Sequence, residues 1–456
     1  MSSLSNLTIH SIGGGWGKDV KDEGLELVAV IRGTDIPNLE INNIQGVPFR
    51  YETQKKIQSR LLQVGDLVIE ISGGSASSKQ RTGRCLYITD ELLKNLGGKV
   101  IPASFCKLLR LDRKKVNSKY VYYQIKAMHL SDEIASFENQ STGISNFQFN
   151  RFIDEIRPSI LDIEVQNKIV NFLEKIDLKI INNININQTL EQIAQTIFKS
   201  WFIDFDPVHA KAEALANGQT AEQATQAAMA VISGKNTQEL HRLQTANPEQ
   251  YQQLWEIADA FPSGVDEEGV PWGWGLSTID ENYNVVMGQS PKGETYNEES
   301  NGALFYQGRA EFGWRYPEPR LYTTDPKRIA KKGNILMSVR APVGDLNVAL
   351  EDCCIGRGLA ALSHKSNSLS FGLYQIKNLQ NEFDIFNGEG TVFGSINQKD
   401  LKAIKVINPS FKIIKLFDDV CSSNELQIEN LSREIIFLRK IRDELLPKLL
   451  SGEIHL

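Results

Sequence analysis

The feature that most constrains this chain is an internal repeat whose two copies are 251 residues apart. Gly143-Ile-Ser-Asn146 returns as Gly394-Ser-Ile-Asn397, and Ile156-Arg-Pro-Ser-Ile160 returns as Ile407-Asn-Pro-Ser-Phe411. A long run with helical periodicity follows each copy. A shared order of turn, proline and long helix predicts a duplicated unit that presents two similar modules.

Both long runs carry apolar residues close to heptad spacing, which indicates helices that pack along a narrow seam. Each is roughly forty residues, or about 60 Å at the rise of an α-helix. The predicted seam contains Ile169, Ile176, Asn183, Leu190 and Ile197 in the first helix, and Leu431, Leu438 and Leu445 in the second. A buried Asn183 or Asn187 would fix the register of an antiparallel pair, whereas two asparagines on the solvent face would not.

The remaining sequence predicts an α+β protein with two mixed, strand-rich domains separated by this two-helix coiled-coil spacer, related by a pseudo-twofold repeat. The apolar strand Gly65–Ile71 leads into the turn-forming run Ser72–Ser78, and Gly333–Val339 leads into Arg340–Gly344 in the same way. The predicted segments are a first strand-rich domain (1–155), a first spacer helix (156–205), an acidic Ala/Gln-rich helical connector (206–270), a second strand-rich domain (271–407) and a second spacer helix (408–456).

Charge does not exclude a nucleic-acid partner, although the net charge of the 456 residues is −6. Eleven acidic and three basic residues fall between Asp204 and Glu268, so the rest of the chain has a net charge of +2. DNA binding needs a basic surface, not a basic total. No apolar run is long enough to span a membrane, and Met1–Asn6 lacks the features of a secretory signal. Five scattered cysteines fit reduced thiols, so we expect a cytoplasmic protein that neither contacts a membrane nor binds a metal.

Three motifs approach those of known catalytic sites, and each departs from its pattern. Gly13–Asp19 lacks the first glycine and the hydroxyl of a phosphate-binding loop, which favours a flexible glycine turn. Asp66–Ser72 has serine where a metal-dependent nuclease needs lysine, which favours a plain strand. Asn408–Phe411 has serine in place of the second proline of an adenine methyltransferase loop, which favours a lead-in to a helix. We therefore expect no catalytic centre.

Several segments together carry a resemblance to a known family. They are Trp201–Val208 with Ala210-Lys211, Gly288-Gln-Ser-Pro291, Asn387–Thr391 followed by Ile396-Asn397, and Leu445–Ile454. In these segments and in its duplicated organisation the chain resembles the specificity subunit of type I DNA restriction-modification enzymes. The first domain has no Gly-x-Ser-Pro loop, so the two domains are expected to be different subtypes that read unrelated half-sites.

The resemblance implies a subunit that selects the DNA site while its partners perform the chemistry. Each domain would dock on one half of a bipartite double-stranded DNA target, and the helices would set the unspecified gap. Each repeat would bind one modification (methyltransferase) subunit, which carries S-adenosylmethionine. Restriction subunits, with ATP and Mg²⁺, would join that core. This chain would bind no cofactor itself, but both the methyltransferase and the ATP-dependent endonuclease activity would require it.

Base readout needs long polar side chains on loops that reach the major groove. The predicted DNA-binding residues are Ser75, Ser77, Lys79, Gln80, Arg81 and Arg84 in the first domain, and Gln289, Ser290, Lys292, Gln307, Arg309, Arg315 and Arg340 in the second. The alternative for each is a solvated surface side chain. The alternative for the whole chain is a scaffold that dimerises a partner through its duplicated helices without reading DNA.

Overall fold

The computed structural model describes residues 3–75, 81–141, 144–158, 161–388 and 394–456. It divides into two compact units, the first formed by residues 1–185 and 433–456 and the second by residues 186–432. Each unit combines small sheets with helices, which confirms the expected α+β class. Among the described residues, no helix is both long and apolar enough to cross a membrane.

The strands of the first unit are β1 Thr8–Gly13, β2 Leu25–Ile31, β3 Phe49–Thr53, β4 Leu67–Glu70, β5 Ser72–Ser75, β6 Cys85–Tyr87, β7 Val100–Pro102, β8 Cys106–Leu111, β9 Glu138–Ser141 and β10 Ile144–Phe147. Its shorter helices are α1 Ile36–Leu39, α2 Gln54–Arg60, α3 Asp90–Asn95, α4 Ser118–Leu130 and α5 Phe149–Glu155. The sheets have the orders β1-β8-β4-β6, β3-β2-β7 and β5-β10-β9, and only β2 and β7 are parallel neighbours within them.

The long helix α6 (Ile163–Phe202) begins in the first unit and continues past its boundary. It starts seven residues after the predicted position 156. The chain at 156–158 is not helical and contains Pro158, and a residue that precedes a proline disfavours the helical conformation.

Four helices follow α6 and form the connector: α7 Asp206–Ala216, α8 Ala221–Ser233, α9 Thr237–Ala246 and α10 Pro248–Ala260. They enclose a small apolar core that includes Met229, Leu240 and Leu254. Lys211 on α7 is buried and donates to the carbonyl oxygens of Ala258 (3.3 Å), Asp259 (3.2 Å) and Phe261 (2.7 Å). The connector is thus a packed helical bundle, and its lysine caps the end of α10.

The strands of the second unit are β11 Gly275–Thr278, β12 Tyr283–Met287, β13 Tyr296–Asn297, β14 Ala303–Tyr306, β15 Leu321–Thr323, β16 Ile329–Ala330, β17 Ile335–Ser338, β18 Leu346–Val348, β19 Cys353–Ile355, β20 Leu359–His364 and β21 Lys405–Asn408. Its later helices are α11 Ile279–Asn282, α12 Leu369–Lys377, α13 Gln380–Asp384, α14 Gln398–Ala403 and the long α15 Phe411–Ser451, which continues into the first unit. The sheets have the orders β12-β20-β17-β18, β13-β15-β14-β19-β16 and β11-β21.

The two long helices pack against each other in antiparallel fashion within each unit. In the first unit Asp177 pairs with Arg442 at 2.8 Å, and Ile184 shares an apolar cluster with Ile435. In the second unit Asn187 Nδ2 donates to Ser432 Oγ at 3.1 Å. Later residues of α6 therefore contact earlier residues of α15, which is the antiparallel arrangement that the sequence predicted.

The seam of α6 is displaced by one residue from the predicted one. Among the predicted residues of α6, Ile169 and Asn183 are buried, whereas Ile176, Leu190 and Ile197 are only half-buried, as are Leu431, Leu438 and Leu445 on α15. The buried positions with alternating spacings of four and three are Ile180, Ile184, Asn187, Glu191, Ala194, Phe198 and Trp201. Sequence patterning missed this seam because two of its positions are polar and one is alanine.

The glycine before strand β4 and the glycine before strand β17 make equivalent backbone hydrogen bonds, which supports the prediction that Gly65–Ile71 and Gly333–Val339 are counterparts. Gly65 N donates to Ile88 O and Gly333 N to Ala349 O, at 2.9 and 2.8 Å. The sheet order β1-β8-β4-β6 likewise matches β12-β20-β17-β18. A duplication of the whole domain therefore underlies the sequence repeat.

Candidate nucleic-acid interface

One set of backbone hydrogen bonds occurs in both recognition domains and holds their loops in equivalent places. In the first domain the backbone nitrogens and the carbonyl oxygens to which they donate are Gly14 to Cys106, Gly15 to Pro102, Ala103 to Ile31, Cys106 to Ala103, Ile71 to Phe105 and Phe147 to Ile71. In the second domain the corresponding pairs, in the same order, are Gly288 to Leu359, Gln289 to Ile355, Gly356 to Tyr306, Leu359 to Gly356, Val339 to Gly358 and Ile396 to Val339. All twelve distances lie between 2.8 and 3.1 Å.

This shared set, here called the backbone frame, corrects one detail of the repeat. It makes Phe147 the counterpart of Ile396, an offset of 249 residues, whereas the sequence alignment at Asn146 and Asn397 uses 251. The two asparagines also have different roles: Asn397 caps α14, whereas the Asn146 side chain accepts a hydrogen bond from Ser72 Oγ at 3.0 Å.

In the second domain the frame gathers four loops into one surface, the second-domain loop surface: Gly288–Lys292, Gln307–Arg309, Val339–Ala341 and Gly356–Gly358. The backbones of these loops approach each other so closely that a Cβ on Gly288 would lie 2.1 Å from Gly356 O, and one on Gly358 would lie 2.8 Å from Gln307 O. Glycine is required where backbones meet in this way.

The predicted second-domain residues mostly come together on this surface. Gln289, Lys292, Gln307, Arg309 and Arg340 are exposed and Ser290 is half-buried. Ser290 Oγ accepts a hydrogen bond from the backbone nitrogen of Arg357 at 3.2 Å, which joins the first loop to the fourth. Six side chains with donor groups therefore share one accessible face of this domain.

Arg357 is a member of this surface that sequence reasoning missed. It is exposed at the tip of the Gly356-Arg357-Gly358 turn. Neither Arg340 nor Arg357 has an ion pair with any residue that the structure describes, whereas Arg309 pairs with Asp345. The Gly-Arg-Gly sequence was the available signal, because paired glycines around one long side chain indicate a tight turn.

The structure contradicts the prediction that Arg315 binds DNA. Its side chain is only 4% exposed and forms an ion pair with Glu425 on α15 and a longer one, at 3.8 Å, with Glu191 on α6. Burial lowers the pKa of the guanidinium, but Glu425, then Tyr374 and Glu191, raise it above its ordinary value. Arg315 therefore fastens the domain to the long helices within the second unit.

Arg84 in the first domain is a second correction. It makes a bidentate pair with buried Glu70, at 2.6 and 2.8 Å, and this hydrogen bonding raises its pKa. A guanidinium committed to a buried carboxylate in this geometry is structural, because breaking the pair would leave a buried charge.

Arg81 remains accessible, although it is also paired. Its Nε donates to Asp132 at 2.8 Å and its Nη1 to Glu138 at 3.1 Å, and these hydrogen bonds raise its pKa. Both pairs would have to loosen for Arg81 to bind a phosphate. Its role in DNA binding stays a prediction.

The rest of the predicted first-domain loop differs from expectation or lies outside the described residues. Ser75 belongs to strand β5, which pairs with β10, so the segment after Ile71 begins as a strand and not as a loop. Ser77, Lys79 and Gln80 lie outside the described residues.

Two of the motifs that depart from catalytic patterns, Asp66–Ser72 and Gly13–Asp19, contain residues with structural roles. Asp66 holds Arg110 in a bidentate pair at 2.7 Å, and the frame requires glycine at Gly14, where a Cβ would lie 2.1 Å from Ala103 O. Within the described ranges, no group of three histidine, cysteine or acidic side chains could hold a metal ion.

Comparison with known proteins identifies the family. The chain is 34% identical over 330 residues to the type I restriction enzyme HindI specificity subunit of Haemophilus influenzae, an alignment that covers 66% of this chain and 70% of that protein. The chain belongs to the specificity subunits of type I restriction-modification enzymes. Residues 315–433 match the family model for the type I restriction modification DNA specificity domain.

Other members of the family show the same relationship. A putative MjaX specificity subunit of Methanocaldococcus jannaschii is 35% identical over 197 residues, covering 41% of this chain and 44% of that protein. The crystal structure of an S subunit from M. genitalium is 15% identical, covers 98% of this chain and 95% of that chain, and has a TM-score of 0.48. The HindI relative and the matched domain model indicate a DNA specificity subunit, and the alternative of a scaffold that does not read DNA is not favoured.

Proposed function

We propose that this specificity subunit reads a bipartite DNA sequence, one half-site with each recognition domain, and docks modification subunits through its repeats. The observation that carries the proposal is the second-domain loop surface, where Arg340 and Arg357 are exposed without ion-pair partners among the described residues. Arginine presented from a fixed loop is the commonest reader of guanine in the major groove. The matching backbone frame supports a second reading surface in the first domain.

The proposed division of labour leaves the chemistry to the partners. Modification subunits would bind S-adenosylmethionine and methylate a base, and restriction subunits would use ATP and Mg²⁺. This chain would be required for both activities because it holds the complex on its target. The long α6 and α15 helices would set the gap between half-sites, on the scale of one DNA turn, roughly 34 Å.

The experiment that tests the proposal is methylome sequencing of a host that expresses the chain with its modification subunit, and of a matched host without the chain. We expect a split N6-methyladenine motif only when the chain is present. Assembly of the complex without any new methylated motif would contradict the proposal and favour the scaffold that does not read DNA.

A second experiment tests the loop surface itself. Arg340→Ala combined with Arg357→Ala should weaken binding of the assembled complex to the full target by about a hundredfold and relax the sequence requirement of the second half-site. Arg242→Ala, an exposed arginine of the helical connector, is the matched control and should leave binding unchanged. Equal binding by the double variant and the control would remove this surface from the interface.

A further inference from the structure

The first domain presents two aromatic side chains at positions that the backbone frame makes equivalent to the second-domain loop surface. Gly14 and Gly15 take the places of Gly288 and Gln289, so Trp16 takes the place of Ser290. The turn Ala103–Phe105 takes the place of Gly356–Gly358, so Ser104 corresponds to Arg357 and Phe105 to Gly358.

Phe105 is a large apolar residue that the fold leaves in solvent. Its side chain is 66% exposed, although its backbone is held on both sides of the turn. Phe105 O accepts from Ile71 N at 2.8 Å, and Cys106 N donates to Ala103 O at 2.8 Å. Exposure alone does not distinguish Phe105; its position does, because it lies on the turn that the backbone frame makes equivalent to the one carrying Arg357.

Trp16 is fixed in a comparable way, which corrects the expectation of a flexible glycine turn. The loop is fastened at its start by Gly14 and Gly15, and at its end Lys18 and Tyr51 exchange backbone hydrogen bonds at 2.8 and 2.9 Å. The guanidinium of Arg50 lies over the Trp16 ring, 4.4 Å from its centroid, and also pairs with Asp19. The indole is thus held in place and is still 37% exposed.

We propose that Phe105 and Trp16 are specificity-determining residues for the first half-site, and that Phe105 contacts the C5 methyl group of a thymine in the major groove. The inference rests on the proposed DNA-reading function. It explains why this domain needs no Gly-x-Ser-Pro loop: where the second domain offers hydrogen-bond donors, the first offers apolar contacts. Thymine is the base whose major-groove edge presents an apolar group to a side chain such as phenylalanine.

The test uses the complex of this chain with its modification subunit and DNA that carries both half-sites. Phe105→Ser should weaken binding to the intact target by about tenfold and reduce the preference for the true first half-site over a scrambled one. Preference at the second half-site should stay unchanged. Trp16→Ser should act in the same direction, and Phe105→Leu should retain more of the preference than Phe105→Ser.

The matched control is Val231→Ser, since Val231 is 43% exposed and belongs to α8 of the helical connector, outside the repeats and the loop surfaces. It should bind both half-sites as the unaltered chain does. Replacing single thymines of the first half-site by deoxyuridine removes only the methyl group. One such replacement should weaken the unaltered complex several-fold and leave the Phe105→Ser complex unaffected, because the contact is already lost.

Three results would overturn the inference: a first half-site with no thymine on either strand, deoxyuridine replacement without effect at every thymine, or loss of assembly in Phe105→Ser, which would assign the ring to a protein contact. The proposed function fails in a different way. If Arg340→Ala with Arg357→Ala also leaves recognition of the second half-site intact, the loops of neither domain read DNA.

Discussion

Asn183 donates a hydrogen bond from Nδ2 to Oε2 of Glu434 at 2.8 Å, and the 251 residues between them equal the offset of the sequence repeat. Each is therefore the repeat counterpart of the other. Ile184 and Ile435 stand in the same relation and share one apolar cluster. In an antiparallel pair of duplicated helices, counterparts face each other at only one place along the pair. Within the first unit that place is at Asn183 and Ile184.

Asn183→Leu should raise the free energy of unfolding by about 1 kcal/mol, because a buried asparagine specifies register at a cost in stability. Asn183 is 1% exposed, and its Oδ1 has no hydrogen-bond partner among the described residues. Glu434 keeps its ion pair with Lys179 at 3.4 Å. Urea unfolding measures the change. Asn182→Leu, on the exposed face next to it, should change stability by less than about 0.5 kcal/mol. A less stable Asn183→Leu variant would show that the hydrogen bond outweighs the burial cost.

Arg315→Met should lower the free energy of unfolding by about 3 kcal/mol, because it leaves the carboxylates of Glu425 and Glu191 buried without this counter-charge. Adding Glu191→Gln and Glu425→Gln to the same chain should recover most of the loss, since no buried carboxylate then lacks a counter-charge and Lys377, which loses Glu191, is 45% exposed. Thermal unfolding gives the comparison. The exposed Arg309–Asp345 pair is the control, and Arg309→Met should cost less than about 1 kcal/mol. Similar losses for the two arginines would contradict the structural role of Arg315.

Alkaline pH should destabilise the protein through its buried thiols. Burial, and secondarily Glu70, raises the pKa of Cys106 from 9.0 to about 12. The folded pKa exceeds the unfolded value, so this contribution to stability is complete below pH 9 and is lost as the pH rises toward 12. Each such thiol should cost about 1 kcal/mol between pH 9 and pH 10.

The variant Cys106→Ala isolates the contribution of one thiol. Its overall stability will differ from that of the unaltered chain, but the difference that matters is the pH slope. Urea unfolding at pH 8, 9 and 10 should show that the variant loses about 1 kcal/mol less over the last interval. Parallel slopes for the two proteins would mean that Cys106 ionises as readily in the folded state as in the unfolded one.

Gly288→Ala should lower the free energy of unfolding by about 2 kcal/mol, because the new Cβ would lie 2.1 Å from Gly356 O and force two backbone segments apart. Gly293→Ala provides the control on the same stretch of chain, since nothing lies within 4 Å of its Cβ position and its φ is not positive. That control should be neutral or slightly stabilising. Hydrogen exchange of the backbone amides of Gly356 and Gln289 would show whether the frame opens. A neutral Gly288→Ala would mean that the frame can relax.

The repeat, the α+β class and the long helices could be predicted from the sequence, because turn residues and apolar periodicity are local signals. The seam position could not, since Asn187 and Glu191 occupy buried positions only because Ser432 on α15 and the charged side chains Arg315 and Lys377 pair with them. Such partners lie far away in sequence. A pattern of apolar residues therefore selected the neighbouring stripe of isoleucines and leucines.

In the candidate interface, too, some features could be predicted from the sequence and others could not. The exposed or half-buried loop positions of Gln289, Ser290, Gln307, Arg309 and Arg340 could be predicted because these residues follow strands in turn-rich segments, while their contact with DNA stays a prediction. The burial of Arg315 and the pairing of Arg84 could not be anticipated, because an arginine looks alike in sequence whether it faces solvent or a carboxylate. Phe105 went unnoticed for the converse reason: aromatic residues are expected in a core, and only the fold shows this one in solvent.

The backbone frame distinguishes positions where the fold constrains the residue from loop positions where the side chain can vary. Its twelve hydrogen bonds use main-chain atoms alone, so glycine at the close approaches, such as Gly14 and Gly288, is its main demand on sequence. Exposed loop-tip side chains such as Arg340 and Arg357 take no part in these hydrogen bonds, although Ser290 adds one that joins two of the loops. If the loop tips read DNA as proposed, a lineage could acquire a new target by a few substitutions there while the main-chain hydrogen bonds of the frame are retained.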